Sequence, residues 1–121
     1  MTKTALNILG VVFLLVGLLG FFNNPILGFF AVNNLHNGVH LVSGILALVF
    51  AMQSESSARM FAKVFGVIYL LVGVLGFLAP DLMKNLLSIN TMDNFLHLLL
   101  GVVFILIGMS KAHNSAVGSN M

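Results

Sequence analysis

The side chains of this chain that could do chemistry are gathered in two short stretches. In VNNLHNGVHLVSG, Val32 to Gly44, helical spacing puts Asn33, Asn37, His40 and Gly44 on one stripe at i, i+4, i+7 and i+11, with His36 one turn before His40. INTMDNFLHLLLG, Ile89 to Gly101, writes the stripe again as Asn90, Asn94, His97 and Gly101, and carries Asp93 where the first stretch has His36. Histidines four apart share a helical face, and two such faces on neighbouring helices are how bundles assemble metal centres. His36, His40, Asp93 and His97 are therefore the candidate metal ligands. Nitrogen and carboxylate donors without thiolate suit zinc, non-haem iron or copper, and His40 with His97 could instead span a haem.

The same residues have a plainer use. Asn33 and Asn90 stand where helices should begin, and their side chains can accept from backbone N–H groups that have no helical partner. The polar cluster Asn33, Asn37, Asn90 and Asn94 would then serve helix starts and interhelical hydrogen bonds, worth about 0.6 kcal/mol each. This use explains His40 and His97 less well, since they lie about two turns, near 10 Å, inside their helices. Catalysis has little support. Ser43, His40 and Asp93 can be forced into a triad, but Ser43 lacks the strained elbow and oxyanion donors that make a serine reactive, and a small residue permitting helix contact explains it better. An ion-coupled pump is disfavoured too: no acid lies in mid-helix, and four helices leave little room for a pathway.

Composition says what must hold these residues. Of 121 residues, 60% are hydrophobic and 7% charged, with mean hydropathy +1.11, against about 25% charged in soluble domains. The chain belongs in a membrane. Five scattered Lys and Arg are too few for a nucleic-acid footprint, and the lack of cysteine removes disulfides, thiolate metal sites and dithiol chemistry. Lys3 before an apolar run imitates a cleaved leader, but the run ends in FFNNP without a small-residue cleavage pattern, so it is taken as a spanning helix.

Four apolar segments follow, Ala5 to Phe22, Asn33 to Met52, Phe61 to Leu78 and Thr91 to Met109, each long enough for a hydrocarbon core about 30 Å thick. Backbone groups in lipid must be satisfied internally, so helices are required. Asn23 to Pro25 and Ala79 to Asp81 stop the first and third, because proline cannot continue the ladder; Gln53 to Arg59 is read as a polar turn. GVVFLLVGLLGF, from Gly10, matches GVIYLLVGVLGF, from Gly66, so the chain reads as two tandem hairpins. Lys3, Arg59, Lys63 and Lys111 fall on one face and Lys84 alone on the other, which predicts cytoplasmic termini and argues against a dual-topology dimer. Glycines seven apart at Gly10 and Gly17, Gly66 and Gly73, and Gly101 and Gly108 mark a left-handed seam inside one bundle.

FGVIYLLVGVLGF, VNNLHNGVHLVSG and NTMDNFLHLLLG together resemble the bacterial membrane family of domain of unknown function 4383, over about Leu6 to Met109. The resemblance implies a bacterial four-helix integral membrane protein and brings no activity with it.

The expectation is an all-α protein of four transmembrane helices, two tandem helical hairpins in a left-handed antiparallel bundle. It is one domain over residues 1–109, with repeat A at 6–52, repeat B at 62–108 and a flexible cytoplasmic tail at 110–121. It should lie in a prokaryotic inner membrane, multi-pass, with both termini cytoplasmic. It is expected to be no enzyme but a structural or accessory protein, partnered by the lipid bilayer and by a second copy or another membrane protein, with no nucleic acid and no cofactor. The alternative is a metal- or haem-binding redox module using the His/Asp cluster near the outer leaflet.

Overall fold

A computed structural model describes residues 1–110; the tail expected beyond Ser110 lies outside the described residues. They form five helices and no named strand: α1 (Thr2–Leu19), α2 (Asn34–Gln53), α3 (Glu55–Leu78), α4 (Pro80–Leu87) and α5 (Thr91–Met109). Among the described residues α1, α2, α3 and α5 are long and apolar enough to cross a membrane, at 18, 20, 24 and 19 residues. A rise of about 1.5 Å per residue makes even the shortest about 27 Å long.

Their cross-section is inverted relative to a soluble protein. On α1 the inward positions are Leu6, Gly10, Phe13 and Gly17, while Ile8, Val11, Leu15 and Leu18 face out. The inward face of α3 is likewise built on glycine, alanine and two aromatics, and that of α5 on Gly101, Phe104 and Gly108 beyond its buried polar first turns. Exposed leucine and valine all round the molecule match acyl chains, and small inward residues let the backbones approach. A Cβ placed on Gly44 would stand 2.8 Å from the Gly10 carbonyl oxygen, and one on Gly66 would stand 2.9 Å from that of Gly101. The seven-spaced glycines are all buried within the chain, with α1 packed chiefly on α2 and α3 chiefly on α5. Phe13, Phe61, Tyr69 and Phe104 fill the space between these pairs, with Phe13 and Phe104 stacked at 5.8 Å between centroids.

Two local expectations are corrected. The turn over Gln53 to Arg59 shrinks to Ser54, whose hydroxyl accepts from the Ser57 N–H at 3.0 Å and starts α3 at Glu55. Serine as N-cap followed by an acid in the first turn is a helix start, and the polar composition of that stretch concealed it. Glu55 also reaches back to accept from the Thr2 and Lys3 N–H groups at 3.1 and 3.4 Å, so the starts of α1 and α3 share one end of the molecule. Secondly, Ala79 to Asp81 ends α3 but also begins α4, with Pro80 in the first turn, where its missing N–H costs nothing. α4 ends on Ser88 in the left-handed region at φ 55°, and Asn90 starts α5 two residues later.

Candidate metal centre

The opposite end of the molecule, which carries α4 and the segment joining α1 to α2, holds the polar residues. Asn24 closes that segment, its side chain donating to the Val32 carbonyl at 2.9 Å and accepting from the Val32 N–H at 3.1 Å. Asn33 then caps α2, accepting from the His36 N–H at 2.8 Å, and Asn90 caps α5, accepting from the Asp93 N–H at 2.9 Å. Each cap also donates across the molecule: Asn33 to the Leu86 carbonyl at 3.1 Å and Asn90 to the Phe29 carbonyl at 2.9 Å. Two of the four predicted asparagines are thus helix caps that tie the halves together. The other two, Asn37 and Asn94, lay their amide oxygens against Gly20 and Gly76, where any Cβ would collide with them. Those oxygens are buried without a conventional donor, and a Cα–H is the contact the glycines offer.

Three of the four predicted metal ligands come together. His36, His40 and His97 each offer a ring nitrogen such that all three lie within 4.8 Å of one another. Ring centroids are 4.4 Å apart for His36 and His40, 5.5 Å for His36 and His97, and 6.4 Å for His40 and His97. All are buried, at 2, 5 and 2% relative exposure in that order. The fourth, Asp93, does not join them. Its carboxylate accepts from the Asn90 N–H at 3.0 Å and completes a capping box, so the i to i+3 spacing with Asn90 is the one its side chain uses. With His40 it borders a separate cavity of about 230 Å³.

The hydrogen-bond state of the rings is specific. His36 Nδ1 lies 3.0 Å from the Leu87 carbonyl; a carbonyl only accepts, so Nδ1 carries the proton and Nε2 the lone pair. That Nε2, together with Nδ1 of His40 and Nδ1 of His97, is buried with no partner. An unsatisfied buried polar atom costs about 1–3 kcal/mol, and here there is one on each ring of a single cluster. A metal-binding histidine characteristically donates its other N–H to a carbonyl, as His36 does to Leu87.

The rings form the back wall of a cleft of about 560 Å³ between α2 and α3. Its sides are apolar, with Leu35, Val39, Val42 and Ile68 exposed at the mouth, so it opens sideways toward lipid. Its floor joins Ser43 to a residue that the sequence did not single out: the Tyr69 hydroxyl lies 2.8 Å from that of Ser43, both buried, with the Tyr69 ring 5.7 Å from His97. The available signal was a single tyrosine in an apolar helix, because a buried phenol needs a partner.

Fold and site define an integral membrane protein of long apolar helices that encloses a polar histidine cluster. Residues 3–110 match the family model described as Domain of unknown function (DUF4383), and the chain belongs to that family. No curated protein and no solved structure matches it.

Proposed function

We propose that the protein is a membrane-embedded metal-binding module in which His36, His40 and His97 hold one transition-metal ion at the back of the α2–α3 cleft. The observation that carries this reading is the trio of buried histidines, each able to offer a ring nitrogen within 4.8 Å of the other two, in a cluster where every ring also has a buried nitrogen without a partner. A structural role accounts for Asn33, Asn90 and Asp93 through their caps but leaves those nitrogens without a purpose. At ligand distances near 2.1 Å, three nitrogens around one ion stand about 3.5 Å apart, so the rings have on the order of 1 Å to close. Haem fits less well than a lone ion, because His36 sits 4.4 and 5.5 Å from the two rings that would have to sandwich a macrocycle. Three protein nitrogens and an open side toward the cleft are the ligand count of a reactive site.

The wider organisation belongs to the same reading. The matched Gly20–Asn37 and Gly76–Asn94 contacts, and the reciprocal donations of Asn33 and Asn90, support two copies of one hairpin in a left-handed bundle. In that arrangement the His36 position of the second copy was given over to the capping Asp93. Lys3, Arg59 and Lys63 lie at the end where Glu55 meets α1, which supports a bacterial inner membrane with that end cytoplasmic and the histidines toward the outer leaflet.

The test is the metal content of protein purified in mild detergent without chelators, measured by mass spectrometry beside His36→Ala, His40→Ala and His97→Ala. One equivalent of a transition metal, lost in all three variants, is expected. A metal-free protein that also takes up no zinc, copper, iron, nickel or cobalt at micromolar concentration would return the cluster to a hydrated structural role.

A further inference from the structure

Resting on that metal-binding reading, we infer that the ion is cuprous copper, carried on three imidazoles in a setting that disfavours a divalent ion.

The first ground is charge. All three grouped donors are neutral ligands, and cysteine is absent from the chain. The chain has three acidic residues, and only one lies near the site. Glu55 is at the far end, bonded to the Thr2 and Lys3 N–H groups. Asp81 is exposed in the first turn of α4. Asp93, buried one turn before His97 and bordering a cavity with His40, accepts from the Asn90 N–H and offers at most one negative charge, which offsets a monocation and leaves a dication in excess. The cost of moving an ion out of water rises with the square of its charge, so a dication pays about four times what a monocation does.

The second ground is the donor count. Zinc with three histidines completes its shell with water or an anion, and the cleft offers neither a carboxylate nor a free hydroxyl. Its two buried hydroxyls, on Ser43 and Tyr69, are bonded to each other. A d¹⁰ monocation is satisfied by three nitrogen donors and needs no fourth. The apolar mouth, with Leu35, Val39 and Ile68 exposed, admits a small uncharged molecule to the remaining face more readily than hydroxide. Low charge compensation also holds copper in its reduced state, since oxidation would add a second charge that no further carboxylate offsets.

The experiment is anaerobic titration of the full chain in lipid nanodiscs, with Cu(I) against the chromogenic chelator bicinchoninate and Zn(II) against a zinc indicator. One equivalent of Cu(I) withheld from the chelator is expected, with zinc bound more weakly. Carbon monoxide added to the Cu(I) form should give one infrared stretch, and the copper form should stay silent by electron paramagnetic resonance on brief exposure to air. His97→Gln, checked for helical content and monodisperse elution, should lose both the withheld copper and the carbonyl band. Zinc held as tightly as Cu(I), or a full Cu(II) signal appearing at once in air, would overturn the cuprous assignment while leaving a metal site standing. Neither ion withheld would overturn the site itself. These outcomes are read on the unmodified chain, so they stand even if the variant does not fold.

Discussion

Gly76 and Gly38 make a matched pair for asking whether the seam really closes as described. Both are helical, so replacement by alanine brings each the same gain in helix propensity, about 1 kcal/mol. They differ in what an added methyl meets. At Gly38 nothing lies within 4 Å, whereas at Gly76 the methyl would collide with the Asn94 amide oxygen and carbon and come within 3.0 Å of its nitrogen. Asn94 is 5% exposed, and overpacking of a buried group in this way costs about 1–3 kcal/mol. Gly38→Ala should therefore stabilise by up to about 1 kcal/mol, and Gly76→Ala should fall about 1–3 kcal/mol below it. The assay is unfolding by sodium dodecyl sulfate in mixed micelles, followed by the emission of Tyr69, the single tyrosine of a chain without tryptophan. Removing the opposing amide sharpens the measurement: in an Asn94→Ala background the Gly76→Ala penalty should shrink by about 1 kcal/mol or more, the coupling expected of groups in contact. Equal tolerance at both glycines, or a penalty at Gly76 that ignores residue 94, would refute the close approach of α3 to α5 at this point.

The site yields further measurable outcomes. Tyr69→Phe leaves the buried Ser43 hydroxyl without its partner and should cost about 1–3 kcal/mol, much of which Ser43→Ala in the same chain should restore; additive losses would argue against the bond. Metal at a hundred times its dissociation constant should stabilise the folded protein by about 2.7 kcal/mol, read as a raised unfolding midpoint that disappears in His40→Gln; a midpoint that shifts equally in the variant points to binding elsewhere. Asp93→Asn keeps an oxygen able to accept from the Asn90 N–H, so it should lower stability by no more than about 1 kcal/mol and leave metal stoichiometry unchanged; loss of the metal would make Asp93 a ligand after all.

Much of this arrangement could be read from residue types because its causes are local. Asn33 and Asn90 announce helix starts by their chemistry alone, and the stripe from Asn33 to Gly44 follows from helical periodicity, which lipid enforces. Four apolar segments of spanning length give the count of long helices. What escaped depended on competition between uses of one spacing. Asp93 is three residues after Asn90 and four before His97, so the sequence suits a capping box and a shared ligand face equally; the folded chain takes the first. Ser54 and Glu55 begin a helix inside a stretch whose polarity resembles a loop. α4 is too short for apolar periodicity to mark it, and its second role, presenting the Leu87 carbonyl to His36, is a backbone feature with no residue signature. Tyr69 was hidden by its surroundings, an otherwise apolar run in which one hydroxyl is easily taken as incidental.

The location of the cleft follows from how the helices share their glycines. α1 closes on α2 at Gly10 and Gly44, and α3 closes on α5 at Gly66 and Gly101, each by backbone approach that side chains elsewhere forbid. Between these two tight pairs the contact is looser and falls largely to aromatic rings, Phe13 against Phe104 and Tyr69. A gap therefore belongs at the junction of the pairs. The histidines are drawn from both sides of it, His36 and His40 from α2 and His97 from α5. An ion held by all three would act as a clamp across the looser junction between the two pairs, in addition to any chemistry at its open face. That placement would make the stability of the junction depend on the ion, and it would account for three polar rings at a position where apolar side chains would pack without leaving nitrogens unpaired.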